Sequence, residues 1–114
     1  FCSGKVAWDA MAERDKRGAP VALVRVEQLY PFPLDQLLQL LERYPNARQL
    51  VWLQEEPENM GAWSFVEARV WRVKERGYDL RHVARVESGS PATGSKTIHD
   101  QELADLMDET LKEL

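Results

Sequence analysis

The run Val21-Ala22-Leu23-Val24 is apolar at every position. A strand with one wet face alternates apolar and polar residues. A run without alternation fits a parallel strand covered on both faces, and that restricts the chain to an α/β arrangement in which helices flank a sheet. The strand is expected over Val21 to Glu27, and Leu50-Val51-Trp52-Leu53 reads as a second buried strand. Leu80 to Glu87 reads as another, and Phe1-Cys2-Ser3-Gly4 as the end of a strand followed by a turn.

Between these runs the spacing becomes helical. Lys5 to Arg17 places Val6, Ala7, Ala10 and Met11 on one face and stops at Gly18. Tyr30-Pro31-Phe32-Pro33 is a stiff connector, because each proline fixes its own φ and pushes the preceding residue toward extended geometry. Leu34 to Tyr44 repeats Leu34, Leu37, Leu38 and Leu41 before Pro45-Asn46 ends it. Ala62 to Arg76 carries Ala62, Phe65, Val66, Val70 and Val73 and stops at Gly77. After a loop over Ser88 to Ile98, the residues Leu103, Leu106, Met107, Thr110, Leu111 and Leu114 form the apolar face of a last helix. Strands each followed by a helix predict a three-layer α/β sandwich with a mostly parallel sheet, since crossover helices connect parallel neighbours. Residues 1–114 are expected to form a single domain whose first strand is truncated, with an antiparallel edge strand in the sequence upstream.

Composition removes several classes of function. A net charge of -4, with basic residues interspersed among acids, argues against nucleic-acid binding, which needs clustered Lys and Arg. No stretch approaches the ~18 apolar residues that span a bilayer. The single cysteine, Cys2, excludes an internal disulfide and offers no zinc spacing.

Chemistry in an open α/β sheet gathers at the carboxyl ends of its strands. Those ends carry Arg25, Glu27 and Gln28, then Gln54, Glu55 and Glu56, then Ser88 to Ser95. Glu55 and Glu56 resemble an acid–base pair, yet neighbours on an extended chain point opposite ways, so the two carboxylates do not face one substrate atom unless a turn rotates one of them. A structural or docking role suits them better. Asn59 and Gly61 stand where a cap for the following helix is needed, and Trp63 is either an interface anchor or a core residue.

Gly89 to Thr97 follows a strand and precedes a helix, as a phosphate-binding P-loop does. Ser95 stands where that motif requires lysine, and Pro91 removes one of the cradling N–H groups. What remains is a candidate anion site of Ser90, Thr93, Gly94, Ser95 and Lys96. His82, between Arg81 and Arg85, reads as a packed or surface residue, and His99 as a cap of the last helix. Trp8, Trp52 and Trp71 read as packing.

Four blocks then occur in order: Cys2-Ser3-Gly4-Lys5-Val6; Glu27-Gln28-Leu29-Tyr30-Pro31-Phe32-Pro33; Gln54-Glu55-Glu56-Pro57 through Asn59-Met60-Gly61-Ala62-Trp63; and Ser90-Pro91-Ala92-Thr93-Gly94-Ser95 with His99 and Glu102. Together they resemble the C-terminal domain of the 2-oxoglutarate dehydrogenase E1 component over essentially the whole chain, departing from it at Ala84 to Gly89. The resemblance implies a transketolase-like C-terminal domain in a homodimeric enzyme. Such an enzyme uses thiamine diphosphate and a magnesium ion, bound outside this domain, to decarboxylate 2-oxoglutarate and succinylate the lipoyl group of the E2 dihydrolipoyl succinyltransferase. It implies no catalytic, cofactor-binding or metal-binding residue in this chain, and an interface role for Glu27, Glu55, Glu56, Asn59 and Trp63. Alternatives within it are a regulatory domain binding acetyl-CoA or a nucleotide, and the E1 of a 2-oxoadipate dehydrogenase. The location it implies is the bacterial cytoplasm, or the mitochondrial matrix in a eukaryote.

Overall fold

The computed structural model describes residues 1–86 and 95–112. Glu87 and Leu114, expected in the last strand and the last helix, lie outside the described residues. The elements run α1 (Val6–Arg17), α2 (Leu34–Leu41), β1 (Gln49–Pro57), α3 (Trp63–Val70), α4 (Arg72–Glu75), β2 (Asp79–Arg85) and α5 (Lys96–Leu111). The fold is α/β. β1 and β2 pair in parallel, with Leu50 beside Leu80 and Leu53 beside Val83.

Further parallel contacts extend this pair. Cys2 bridges both Leu53 and Arg25. The Phe1 nitrogen donates to Val51 O (2.7 Å), and Leu53 N–H donates to Phe1 O (2.8 Å). On the other flank Cys2 N–H donates to Val24 O (3.0 Å) and Val26 N–H to Cys2 O (2.7 Å). The lateral order is therefore Val24–Val26, Phe1–Cys2, β1, β2. The strand expected over Val21 to Glu27 is reduced to the Arg25 bridge. The physical reason is pairing: its neighbour offers two residues, and a ladder needs a partner along its length.

Period-2 alternation splits the apolar residues of β1 between two cores. Leu50 and Trp52 join Val26, Leu37, Leu38 and Leu41, together with Trp63, Val66, Val70 and Val73. Leu53 joins Cys2, Val6, Ala7, Ala10, Val83, Leu106 and Met107, with Val51 packed at the edge. α2 and α3 thus cover one face of β1, and α1 and α5 the other.

Helix ends follow local chemistry. Gly18 takes φ +63 beyond α1, and the N–H of Ala19 reaches back to Arg14 O, closing the turn in the left-handed conformation that glycine adopts without strain. The helix expected through Tyr44 ends at Leu41. Glu42, Arg43 and Tyr44 bond three residues back and not four, a tightened final turn. The helix expected over Ala62 to Arg76 is two, broken at Trp71. Arg81 of β2 donates to the C-terminal carbonyls of α5, Glu109 O (3.1 Å) and Thr110 O (3.2 Å), which satisfies acceptors that a helix end leaves free.

Trp52 is packed as expected, whereas Trp8 is 57 % and Trp71 50 % exposed. Each lies beside an arginine: Arg25 stands 4.8 Å from the Trp8 ring centre and Arg72 5.8 Å from that of Trp71. Amphipathic aromatics tolerate that half-wet position.

Leu53 is buried between α1 and α5 at the centre of the ladder. Leu53→Ala is expected to lower stability by about 2–5 kcal/mol, read as a reduced urea midpoint, because the removed carbons leave a cavity that β1 cannot collapse into. Lys16→Ala, on the exposed face of α1, is expected to move the midpoint by less than ~0.5 kcal/mol.

Candidate functional site

Parallel pairing brings the ends of β1, β2 and the Phe1–Cys2 segment to one edge of the sheet. β1 is irregular there: Leu53 faces Val83, but the next pairing is Pro57 with Arg85, so β1 advances four residues while β2 advances two. The extra length holds Gln54, Glu55 and Glu56, and such a bulge re-aims side chains at a strand's end.

Gln54 organises this edge. It is 3 % exposed, and every polar atom of its carboxamide is used. Nε2 donates to Met60 O (2.8 Å), Pro57 O (2.9 Å) and, at longer range, Glu56 O (3.3 Å). Oε1 accepts from Trp52 Nε1 (3.1 Å) and from Trp63 N–H (3.0 Å). The pattern fixes the amide's orientation, since a flip would set acceptor against three carbonyls and donor against two N–H groups. Trp63 is the first residue of α3, so a glutamine on the preceding strand satisfies one of the amides that a helix N-terminus leaves open. Neither Asn59 nor Gly61 caps α3, because Ala62 is the N-cap residue and no side chain caps from that position. Gly61 instead takes φ +67 and lies so close that an added Cβ would stand 2.9 Å from Glu56 Oε2 and 3.1 Å from Gln54 Nε2.

Around this hub the charges pair. Glu55 Oε1 lies 3.3 Å from His99 Nε2 and 3.8 Å from Lys5 Nζ, joining β1 to α5 and α1. Arg85 donates to the Glu55 carbonyl (2.7 Å) and to Glu102 Oε2 (3.0 Å), tying β1, β2 and α5 together. His82 bonds Glu58 and stacks on Trp63, ring centres 4.4 Å apart and planes 17° from parallel. Arg25 pairs with Glu27 at 3.0 Å.

The residues singled out from sequence divide accordingly. Glu55 is partly buried and engaged; Glu27, Glu56 and Asn59 are exposed. Glu55 and Glu56 do not converge, since the Glu55 carboxylate meets Lys5 and His99 while Glu56 lies by Gly61. Trp63 is 8 % exposed and belongs to the core, so of its two readings packing is the one the structure bears out. In the candidate anion loop, Ser90, Thr93 and Gly94 lie outside the described residues. Ser95 Oγ accepts from Ile98 N–H (3.2 Å) as the N-cap of α5, the role expected of His99, and Lys96 is exposed. Sequence reasoning passed over Gln54, Arg85 and Lys5 as site residues. Their signal is positional: each stands at or just past a strand's carboxyl end.

Burial pushes the Cys2 thiol up, against the opposing effect of the Phe1 amino group, which does not suit a nucleophile. Among the described residues no group of three or more His, Cys, Asp or Glu is arranged to hold a metal ion. The rim carboxylates of Glu27, Glu55, Glu58 and Glu102 each face a cationic or imidazole partner, and this does not fit the convergent free oxygens that magnesium requires.

The profile of the family described as 2-oxoglutarate dehydrogenase C-terminal matches residues 1–111. The chain belongs to that family. It is 43 % identical over 114 residues to the 2-oxoglutarate dehydrogenase E1 component of an Exiguobacterium species, and 44 % identical over 116 residues to those of Brucella anthropi and Brucella ovis. In each case the match covers 97 % of this chain and 12 % of the relative. The chain thus corresponds to a small part of the length of these family members.

The Gln54 hub predicts an unusual pH response. In Gln54→Glu a carboxyl faces three carbonyl oxygens, so the folded state favours its protonated form and raises its pKa above the unfolded value. Its stability is expected to fall as pH rises above ~4.3, where the unfolded carboxyl ionises. Gln54→Leu loses the same bonds at every pH, so the difference between the two denaturation midpoints at pH 4 and pH 7 checks the assignment. Gly61→Ala, combining positive φ with the close approach to Glu56, is expected to destabilise by about 1–3 kcal/mol in the same measurement.

Proposed function

We propose that this chain is the C-terminal structural and interface domain of a 2-oxoglutarate dehydrogenase E1 component. In this reading the full protein decarboxylates 2-oxoglutarate and succinylates the lipoyl group of E2, in the bacterial cytoplasm or, in a eukaryote, in the mitochondrial matrix. Thiamine diphosphate and magnesium supply the carbanion chemistry and sit in other domains. The residues of this chain position strand ends and a polar rim against the neighbouring E1 domains and the second E1 subunit.

The observation that carries the reading is the pairing along the rim. A general acid or base needs a substrate-facing group with a pKa matched to the proton it moves. Here Glu55, Glu58 and Glu102 are bound across elements to His99, His82 and Arg85, which locks the loops in place. Glu56 is exposed at this edge, and Glu27 is exposed while paired with Arg25; both can be reached by a partner surface. The family and its relatives' names support the wider enzyme context.

The test is made in the full-length protein. Glu27→Lys combined with Glu56→Lys is expected to weaken dimer assembly at least tenfold, measured by sedimentation, and to lower 2-oxoglutarate turnover in parallel, because reversing the sign sets like charges against each other across the interface, which costs several kcal/mol. Unchanged assembly and unchanged turnover would remove the interface reading.

A further inference from the structure

Around α1, the rim and α5 the arginines are bound to carboxylates: Arg14, Arg17, Arg25 and Arg85 each stand within 3.1 Å of one, on Asp15, Asp108, Glu27 and Glu102. Residues 69–76 differ. They carry the cations Arg69, Arg72, Lys74 and Arg76 against a single acid, Glu75. Arg69 is engaged within its own helix, donating to Phe65 O (2.9 Å) and lying 3.4 Å from the Phe65 ring centre. Arg72, Lys74 and Arg76 are exposed, and among the described residues none of them has a carboxylate partner.

These cations share a continuous surface although the helix is divided. Trp71, at the join, has φ -56 and ψ -24, inside the right-handed helical region, so α4 continues the winding of α3. Phe65, Arg69, Arg72 and Arg76 therefore recur at steps of four, three and four, along one flank. Trp63, Val66, Val70 and Val73 take the buried face. Trp71 stands half exposed beside Arg72, which leaves an indole surface next to unpaired cations. The stripe starts from the helix whose first residue is held by Gln54 and runs away from the polar rim. Its far end, Arg76, precedes Asp79, which pairs with Gln49 where both strands begin. Helix-end electrostatics explain little of it, because α4 has only four residues and few aligned peptide dipoles.

We propose that the α3–α4 face binds an acidic segment of another protein, with carboxylates of that segment on Arg72 and Arg76 and an apolar side chain of it on Trp71. A guanidinium is weakly hydrated and its planar fork matches a carboxylate in two parallel bonds, so unpaired arginines favour such a partner. Side chains one helical turn apart stand about 5–6 Å from each other, and alternate residues of an extended chain about 7 Å, so two carboxylates of a short segment span the pair. Trp and Arg are the side chains that dominate binding at protein interfaces. A continuous phosphate surface fits less well. Glu67 and Glu75 are exposed on the same helices and repel a nucleic-acid backbone or an anionic bilayer, whereas a protein segment can place its charges on the arginines and leave these acids clear.

The probe is a fluorescein-labelled peptide of alternating glutamate and serine with one central leucine, titrated into the full-length protein and followed by anisotropy. Saturable binding is expected. Arg72→Glu combined with Arg76→Glu is expected to weaken it at least about tenfold, because each change sets like charges together. Trp71→Ser is expected to weaken it about fivefold or more through the lost apolar contact. Lys16→Glu, on α1 outside the patch, is expected to change it by less than about twofold. Carbodiimide coupling of peptide carboxylates to Lys74 in the unmodified protein, mapped by mass spectrometry, decides the matter should the double variant fail to fold. Absence of saturable binding, absence of the Lys74 adduct, or an equal loss in Lys16→Glu each overturns the proposal. Equally tight capture of a DNA duplex or of phosphatidylserine vesicles would assign the face to phosphate and overturn it as well. Loss of dimer assembly in the double variant would assign it to a second copy, with the same consequence. Glu27 and Glu56 take no part in these measurements, so failure here is distinguishable from failure of the interface reading.

Discussion

Four backbone hydrogen bonds from Phe1 and Cys2 join the two halves of this sheet. Through them the segment around Val24–Val26, which leads from α1 into the Tyr30-Pro31-Phe32-Pro33 connector, is fixed to β1. Each bond contributes only about 1 kcal/mol net. Their effect is larger because they set register. Parallel strands have period-2 side chains, so a slip of one residue would exchange the faces of Leu50 and Trp52 with those of Val51 and Leu53, undoing both cores at once. Cys2 is suited to that centre. It is small, buried and held as a thiol in apolar surroundings, and its role is packing.

From this register follows the arrangement of the rim. Once the strands run parallel, their carboxyl ends have no choice of edge, and the polar residues after each one are brought together. The bulge of β1 then supplies the slack by which Gln54 turns inward while Glu55 reaches toward α1 and α5. A buried carboxamide whose two amide hydrogens are shared among three carbonyls and whose oxygen accepts from two N–H groups does what a helix cap and a turn would otherwise do separately. Such a network is stable only when complete, since a missing partner leaves a desolvated dipole.

Much of this is legible in the sequence alone. The helix faces at Val6, Ala7 and Ala10, at Leu37, Leu38 and Leu41, and at Leu106, Met107, Thr110 and Leu111 are buried where their spacing puts them. The parallel strand order follows from apolar runs separated by helices, and the family from four motif blocks. Three features are not legible there, for physical reasons. The break at Trp71 leaves the valine spacing intact, so periodicity gives no warning of it. The strand at Val21 needs a neighbour, and composition describes the strand but not what it pairs with. Gln54 is an ordinary polar residue at a strand end until its contacts at Met60 and Trp63 are seen, several residues along the chain. Side-chain to backbone bonds of that range leave no periodic trace.

The balance between catalysis and docking at the rim turns on solvation. Carboxylates that act on substrate are often held partly desolvated, which is costly and therefore confined to sites where surrounding structure supports it. The rim does the reverse. Its inward-facing acids are paired across elements, and Glu56 is left in water. Pairs at a partly exposed edge contribute little stability, about 0–1 kcal/mol each, so they are poor explanations of the fold itself. What they do provide is geometry: Glu55 and Arg85 hold α5 against the strand ends, so the exposed charges stand on a rigid edge. Under the proposed interface role, a partner surface meeting such a rigid, patterned edge would lose less entropy on binding than one meeting loose loops, and the charge pattern would discriminate right from wrong docking even where it added little affinity.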